Sequence, residues 1–140
     1  MKDTLERIQR LREHGKRMAR IDLAQAENER STQRHLLDEL EQRMDDARSN
    51  VDCENADDMA RYHTYRMRME IVGRKQEQVL VDADQSVEDK RSAVNIAARE
   101  AEVVSTMLDR RRELKRTVDE RRDRQVRDEV SMHAWMRKAQ

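Results

Sequence analysis

Few residues of this chain belong to the types that bind metals or attack substrates, and their spacing disfavours both roles. The four histidines, His14, His35, His63 and His133, are far apart, so no two stand four residues apart as ligands on one helix do. Cys53 and His63 could act as nucleophile and base, but that chemistry also needs a pocket and an oxyanion hole, which long helices do not provide. No glycine-rich phosphate loop is present. The sequence therefore predicts a protein that is not an enzyme and binds no metal and no cofactor.

Arginine is concentrated in one stretch towards the end of the chain. Arg110, Arg111 and Arg112 are consecutive, and Arg121 and Arg122 follow as a pair. A basic helix of this kind could contact nucleic-acid phosphates. Acidic residues interleave the arginines, however, and many stand three or four residues away, where opposite charges pair on a helix surface. A solvated helix face is therefore the simpler interpretation of any one arginine, and nucleic-acid binding ranks low among the alternatives.

The aromatic residues are two tyrosines and one tryptophan. Tyr62 and Tyr65 lie in the middle of the chain, where packing between helices is the simpler explanation. Trp135 lies near the end of the chain, and tryptophan is enriched in the residues that dominate binding interfaces. We therefore expect Trp135 to contact another protein.

The composition favours long helices over a compact globular domain. Charged residues make up 43% of the chain and aromatic residues 2%, and proline is absent. Such a chain has too few large apolar groups for a thick core, whereas its strong helix formers and balanced charge argue against disorder. No apolar run reaches the length of a membrane span, and a single cysteine fits a cytoplasmic location. The predicted fold class is all-α.

A long row of residues, spaced alternately three and four apart, runs from Tyr62 to Trp135 in one phase. A second apolar row lies beside it, at Leu80, Val87, Val94, Ala101 and Leu108. A repeat of this kind keeps one helix face turned towards a partner helix and predicts a coiled coil. The row becomes polar after residue 110, although apolar residues such as Leu114 and Val118 continue.

A first helix is predicted over about residues 3–50, from an early apolar set and a later one that is out of phase with it. The early set is Leu5, Ile8, Leu11, Met18 and Ile21, and the later one is Leu36, Leu37, Leu40, Met44, Ala47 and Val51. The phase difference predicts a stutter. The stretch at about 51–57 holds the chain's cluster of Asn and Asp, which predicts a turn, with Asn55 or Asp57 as the N-cap of a second helix over about 58–137.

A short turn between two long helices predicts an antiparallel coiled-coil hairpin, so residues 1–140 form a single coiled-coil module. The second helix is the longer one, and we expect residues after about 107 to overhang without a partner inside the chain. Basic residues prevail at the start of the chain and in the overhang, whereas acidic residues prevail near the turn. The hairpin would therefore have a basic open end, which can be steered by the field of a partner.

The end of the chain is the most specific stretch. It reads Arg127, Asp128, Glu129 and Val130, then Ala134, and then Met136, Arg137 and Lys138. This tail, together with the layout of two long helices around an acidic turn, resembles the FliJ family, a small coiled-coil component of the flagellar type III export apparatus. The resemblance covers the whole chain in layout, but only this tail and the Tyr62 and Tyr65 region in residues.

The resemblance implies a non-enzymatic rod, similar to the central stalk of rotary ATPases, that serves protein transport for the bacterial flagellum and so motility and chemotaxis. The open end would enter the hexameric export ATPase, and the flank would contact the cytoplasmic domain of the export gate protein. Export chaperones would be further partners. The location would be cytoplasmic, and peripheral to the inner membrane only through these partners. No nucleic acid would be bound.

The resemblance also assigns residues to these contacts. The expected ATPase-binding residues are Arg110, Arg111, Arg112, Leu114, Val118, Arg121, Arg122 and Trp135. The expected gate-binding residues are Gln33, Leu37, Leu40 and Met44 on helix 1, and Tyr65, Met69, Val72 and Gln76 on helix 2. Leu40 and Met44 depart from the family pattern, which has aromatic residues there. Core packing between the helices is an equal alternative for the second set.

Two other functions stay open from the sequence. One is the equivalent rod of a virulence type III secretion system. The other is a structural coiled coil that self-associates through its overhang.

Overall fold

The computed structural model describes residues 2–140, with side chains from Thr4 onward, and contains two helices. Helix α1 spans Lys2–Ser49 and helix α2 spans Ala56–Ala139, and none of the described residues forms a strand. The all-α fold class is therefore confirmed. Because the chain contains no proline, neither helix loses a backbone hydrogen bond to a proline ring.

The connection between the helices ends in a well-formed helix cap. The side-chain Oδ1 of Asn55 accepts a hydrogen bond from the backbone N–H of Asp58 at 2.8 Å, and its carbonyl oxygen accepts one from Met59 N–H at 3.3 Å. Asn55, rather than Asp57, is thus the N-cap of α2. Asp57 and Asp58 occupy the first turn, where the helix dipole favours negative charge.

The chain divides into two compact units. The terminal unit consists of Met1–His14 and Ala98–Gln140, and the turn unit is Gly15–Ala97. The assignment of the whole chain to a single coiled-coil module stays a prediction.

Two ion pairs join α1 to α2 in the turn unit. Glu27 Oε1 lies 3.6 Å from Arg91 Nη2, and Arg30 Nε lies 3.9 Å from Asp84 Oδ1. Between the two α2 partners lies Val87, whose side chain is fully buried. Because partly exposed ion pairs contribute less than about 1 kcal/mol each, the apolar burial stabilises this contact more than the charges do.

Nearer the turn, a polar contact and an apolar contact follow. Gln76 Nε2 donates hydrogen bonds to the carbonyl oxygen of Gln33 at 3.0 Å and to its side-chain Oε1 at 2.8 Å. Leu40 packs over Gly73, with Cδ2 at 3.6 Å from the place that a Cβ would take on that glycine. In this part of the turn unit, residues of higher number on α1 contact residues of lower number on α2.

In the terminal unit, the start of α1 packs on a short buried stretch of α2. Ala101, Val104 and Leu108 are buried. Arg12 Nη1 lies 2.6 Å from Glu100 Oε2 in a hydrogen-bonded ion pair. From Asp109 to Gln140 every residue is exposed.

The row of α2 that packs against α1 differs in half of its members from the row expected from the sequence. The members shared by both are Gln76, Ala83, Lys90, Ala97 and Val104. The other members of the packed row are Leu80, Val87, Val94, Ala101 and Leu108, and all of them are buried or half-buried. Val79 and Met107, which belong to the expected row instead, are exposed. The expected row contained Ser86 and Glu100 at these places. The five members that replace them are all apolar, and burying apolar side chains costs less free energy than burying a hydroxyl and a carboxylate.

Helix α1 also turns a different row inward than its early apolar residues suggest. Ile8, Leu11, Met18 and Ile21 are all exposed. The inward row of the turn unit is Lys16, Ala19, Leu23, Ala26, Arg30, Gln33, Leu37, Leu40, Met44 and Ala47, all half-buried. Its spacing alternates between three and four throughout, so the expected stutter in α1 does not occur. In the polar part of this row, Arg30 forms an ion pair with a residue of α2, and Gln33 accepts a hydrogen bond from another.

Gly15 offers a direct test of helix stability. Apart from the neighbouring residues and backbone of α1 itself, no atom lies within 4 Å of the place that a Cβ would take there, so this glycine does not serve a close approach of helices. Because alanine is favoured over glycine inside a helix, Gly15→Ala is expected to raise the free energy of unfolding by about 1 kcal/mol. Thermal unfolding followed by circular dichroism measures this. A lower melting temperature would mean that another side chain needs the space.

Candidate functional site

The residues expected to bind an ATPase lie in α2 beyond Leu108, in a part of the terminal unit that we call the terminal segment, residues 109–140. All eight are exposed. They are Arg110, Arg111, Arg112, Leu114, Val118, Arg121, Arg122 and Trp135. Nothing among the described residues covers them, so their side chains are accessible to another protein.

Part of the charge of the terminal segment is neutralised within the helix. Arg112 lies 3.6 Å from Asp109, and Arg116 lies 3.6 Å from Glu113 and 3.5 Å from Glu120. The expected pairing of opposite charges on the helix surface thus occurs, but it is incomplete. Four arginines of the expected site form no ion pair with any residue of 4–140: Arg110, Arg111, Arg121 and Arg122.

Arg111 and Arg112 line an open groove of about 470 Å³ in the terminal unit. Its lining residues are Glu6, Leu108, Arg111, Arg112 and Lys115. Three cations around one apolar residue and one carboxylate suit an acidic side chain that arrives with an apolar neighbour.

The apolar residues of the terminal segment face more than one direction. Leu114 and Val118 are four residues apart and share one face, and Val126 and Val130 form a second such pair. Trp135, at 71% exposure, is the most exposed large apolar side chain among residues 4–140. A single helix with apolar groups on several sides fits a surrounding binding partner better than a flat one.

The residues expected to bind an export gate lie in the turn unit, and the fold brings them together. Seven of the eight are half-buried between the helices: Gln33, Leu37, Leu40, Met44, Tyr65, Met69 and Gln76. Val72 is exposed. Gln33 and Gln76 are hydrogen-bonded to each other, so their first role is to join α1 to α2.

Two clefts give access to this set from outside. One is lined in part by Leu37, Leu40, Met44, Met69 and Gly73. The other lies nearer the turn, where Tyr62, Tyr65 and Met44 meet the guanidinium groups of Arg48 and Arg66 and the carboxylate of Asp45. Half-buried residues at open clefts can contact both the facing helix and a partner.

Sequence reasoning missed Gly73, which lets Leu40 pack closely. The pattern that predicts a packed position for Gly73 is its spacing: it follows Met69 by four residues and precedes Gln76 by three. It also missed the accessible face formed by Ile8 and Leu11, because these residues were assigned to the packed row.

Neither helix has, within residues 2–140, an apolar stretch of the kind that crosses a lipid bilayer. In the described part of the chain, no three His, Cys, Asp or Glu side chains converge to bind one metal ion. Cys53 is exposed in the connection between the helices.

The two helices and their accessible side chains define an all-α protein whose candidate sites are protein-binding surfaces. Over residues 1–140 the chain matches the family model described as "Flagellar FliJ protein". It belongs to the FliJ family, which consists of non-enzymatic, coiled-coil components of flagellar export. No curated protein and no solved structure matches the chain.

Proposed function

We propose that this chain is an antiparallel coiled-coil rod that couples the hexameric export ATPase of the flagellum to the export gate. Its terminal segment would be a C-terminal overhang that enters the ATPase ring. The order of the contacts of Gln33 and Leu40 with α2 supports an antiparallel arrangement. The alternating spacing of the inward rows supports a coiled coil.

The observation that carries this proposal is the exposure of the whole terminal segment. The 31 helical residues 109–139 have no packed face and gain no stability from burial, and isolated helices are marginal in water. Its apolar residues and its unpaired arginines are therefore available to a partner. A ring of ATPase subunits would surround the helix and satisfy side chains on several of its faces.

Coupling follows if the terminal segment binds some subunit states of the ring better than others. A ligand shifts a conformational equilibrium only by the difference between its affinities for the two states. The terminal segment would then bias the nucleotide cycle or the assembly of the ring without any chemistry of its own. Its basic surface would speed association with an acidic ring interior.

The gate would bind the turn unit at the clefts around Met44 and Tyr65, and at the exposed Val72. Val72 is the residue of that set that can be changed with the least effect on packing, because it is exposed. We also expect a cytoplasmic location and contact with export chaperones, because both accompany this role.

The experiment that tests the proposal is co-purification with the export ATPase at moderate salt. Retention of the ATPase supports it, and absence of binding contradicts it.

Two rival functions have their own tests. A virulence secretion rod would be encoded beside virulence secretion genes rather than flagellar ones. A self-associating structural coiled coil would show a stable dimer or tetramer by light scattering, whereas the proposed rod is a monomer on its own.

The terminal segment is also expected to open locally in the isolated protein. Because its residues make no packed contacts, its amide protons should exchange faster than those near Val87 by about two orders of magnitude. Hydrogen exchange read by mass spectrometry measures this difference. Equal protection in both regions of a monomer would show that the segment has a packing partner inside the chain.

A further inference from the structure

The row of α2 that packs against α1 continues into the terminal segment. In the terminal unit its buried members are Ala101, Val104 and Leu108. The same alternation of three and four residues then leads to Arg111, Lys115, Val118 and Arg122, all of which are exposed. Over these two heptads such a row drifts by only about 40° around a straight helix, so it stays on the side that α1 covers at Leu108. We call these four exposed residues the open row.

The charge of the terminal segment is distributed unevenly around the helix. Between residues 109 and 127, the half of the helix centred on the open row carries Arg111, Arg112, Lys115, Arg121 and Arg122, with Asp119 as its acid. The opposite half carries Arg110, Arg116, Arg124 and Arg127 together with Asp109, Glu113, Glu120 and Asp123. The ion pairs of Arg116 with Glu113 at 3.6 Å and with Glu120 at 3.5 Å lie in that opposite half. The excess positive charge therefore lies on the side that continues the packed row.

Helix α1 already places a carboxylate at the start of the open row. Glu6 of α1 lines the groove of about 470 Å³ together with Leu108, Arg111, Arg112 and Lys115 of α2. The first two cations of the open row thus share a groove with an acid on the helix that packs beside them. Beyond this groove, none of the described residues covers Val118 or Arg122.

We propose that the open row binds one helix of another protein, which lies in line with α1 and carries Glu or Asp opposite the three cations. An apolar residue of this helix would contact Val118. Continuity with the packing of α1 favours a helix, because steps of three and four residues are the spacing at which one helix contacts another. The cations of the row favour acids at the contacting positions, as Glu6 illustrates.

Under the proposed function, the acidic helix would belong to the export ATPase. Only this assignment of the partner rests on the proposed function, whereas the chemistry of the partner helix follows from the open row itself. The apolar residues on the other faces of the terminal segment would remain available to the rest of the ring.

The charges argue against a second copy of this chain as the occupant. Two open rows placed face to face would bring cations of the same sign together. The acidic turn unit of another copy is a poorer partner than a free acidic helix, because several of its carboxylates are already bonded. Glu27 pairs with Arg91, and Glu29 accepts a hydrogen bond from Gln33.

Phosphate surfaces fit the open row less well than a helix does. Nucleic-acid phosphates would pair with the cations but would leave Val118 and the apolar Leu108 of the groove without a partner. A helix that binds an anionic membrane inserts one apolar stripe. The apolar residues of the terminal segment face more than one direction, so they form no such stripe beside the open row.

Two synthetic helices of about 21 residues, three heptads each, test the proposal with the full-length protein. The stripe peptide carries Glu and Leu along one face, in the order that matches the open row, and Ala and Gln elsewhere. The scattered peptide has the same composition, but its Glu residues are distributed around the helix. At low ionic strength we expect the stripe peptide to bind with a dissociation constant below about 100 µM and the scattered peptide to bind about tenfold more weakly. Fluorescence anisotropy of the labelled peptides measures both affinities.

A matched pair of variants locates the binding site. Arg111→Glu with Lys115→Glu reverses two cations of the open row. Arg124→Glu with Arg127→Glu makes the same change of charge in the opposite half of the terminal segment and is the control. We expect the first double variant to bind the stripe peptide at least about tenfold more weakly, and the control to bind within about threefold of the wild type. Circular dichroism verifies that both variants keep their helices.

Several results would overturn the proposal. One is no binding of the stripe peptide, and others are equal binding of both peptides or equal loss in both double variants. Tighter binding of duplex DNA, or of vesicles of phosphatidylcholine and phosphatidylserine, that is lost in Arg111→Glu with Lys115→Glu would assign the open row to phosphates. A dimer seen by light scattering and abolished by the same variant would assign it to a second copy. Absence of co-purification with the export ATPase, by contrast, contradicts the proposed function alone.

Discussion

A chain that ends at Leu108 is expected to lose binding to the hexameric export ATPase, with a fall in affinity of at least about 100-fold. The deletion removes all eight expected ATPase contacts, including Trp135 and the four arginines that form no ion pair with any residue of 4–140. It removes no buried residue, because every residue from Asp109 onward is exposed. The remaining helices should therefore keep their fold, which circular dichroism and thermal unfolding verify.

A charge variant separates the contribution of the arginines from that of the whole segment. Arg121→Gln with Arg122→Gln keeps the helix and its apolar residues, and should weaken ATPase binding by about tenfold, less so at high salt. Arg34→Gln with Arg61→Gln changes two exposed arginines of the turn unit and serves as the control. Wild-type binding by the chain that ends at Leu108 would contradict the proposed function outright.

Val87→Asp is expected to lower the free energy of unfolding by about 3 kcal/mol or more. Val87 is the one fully buried side chain of the turn unit, so a carboxylate in its place would be cut off from water. The melting temperature should fall by about 10 °C. Urea unfolding followed by circular dichroism measures the free energy.

Val81→Asp is the control for that substitution. Val81 is the same residue type six positions earlier on the same helix, but it is 58% exposed, so the change should stay within about 0.5 kcal/mol. Similar losses in both variants would mean that Val87 does not pack against α1.

The sequence predicted the features that depend on local chemistry. The strong helix formers and the absence of proline led to two helices, and the Asn and Asp cluster led to the cap at Asn55. The exposure of Trp135 was likewise expected. In each case the residues that decide the outcome are neighbours in the chain.

Features that depend on a facing helix were predicted less well. Leu80 and Val79 are equally apolar, so local periodicity could not decide which of them turns inward. The inward row is the one whose later members, Ala101 and Leu108, stay apolar, and this is a property of the whole helix. Ile8 and Leu11 were misassigned for the same reason, because the row that continues to Met44 determines how α1 is rotated. No rule of spacing could pair Gln33 with Gln76, since the alignment of two helices fixes that contact.

The central claim is that the terminal segment enters the ATPase ring, and a photo-crosslinking residue at position 135 tests it most directly. The control places the same residue at position 81, which is also exposed on α2 but lies in the turn unit. With the export ATPase and nucleotide present, the account predicts a cross-link from position 135 to residues lining the ring interior, and none from position 81. Cross-links from position 135 only to a second copy of this chain, or none to the ATPase, would contradict it.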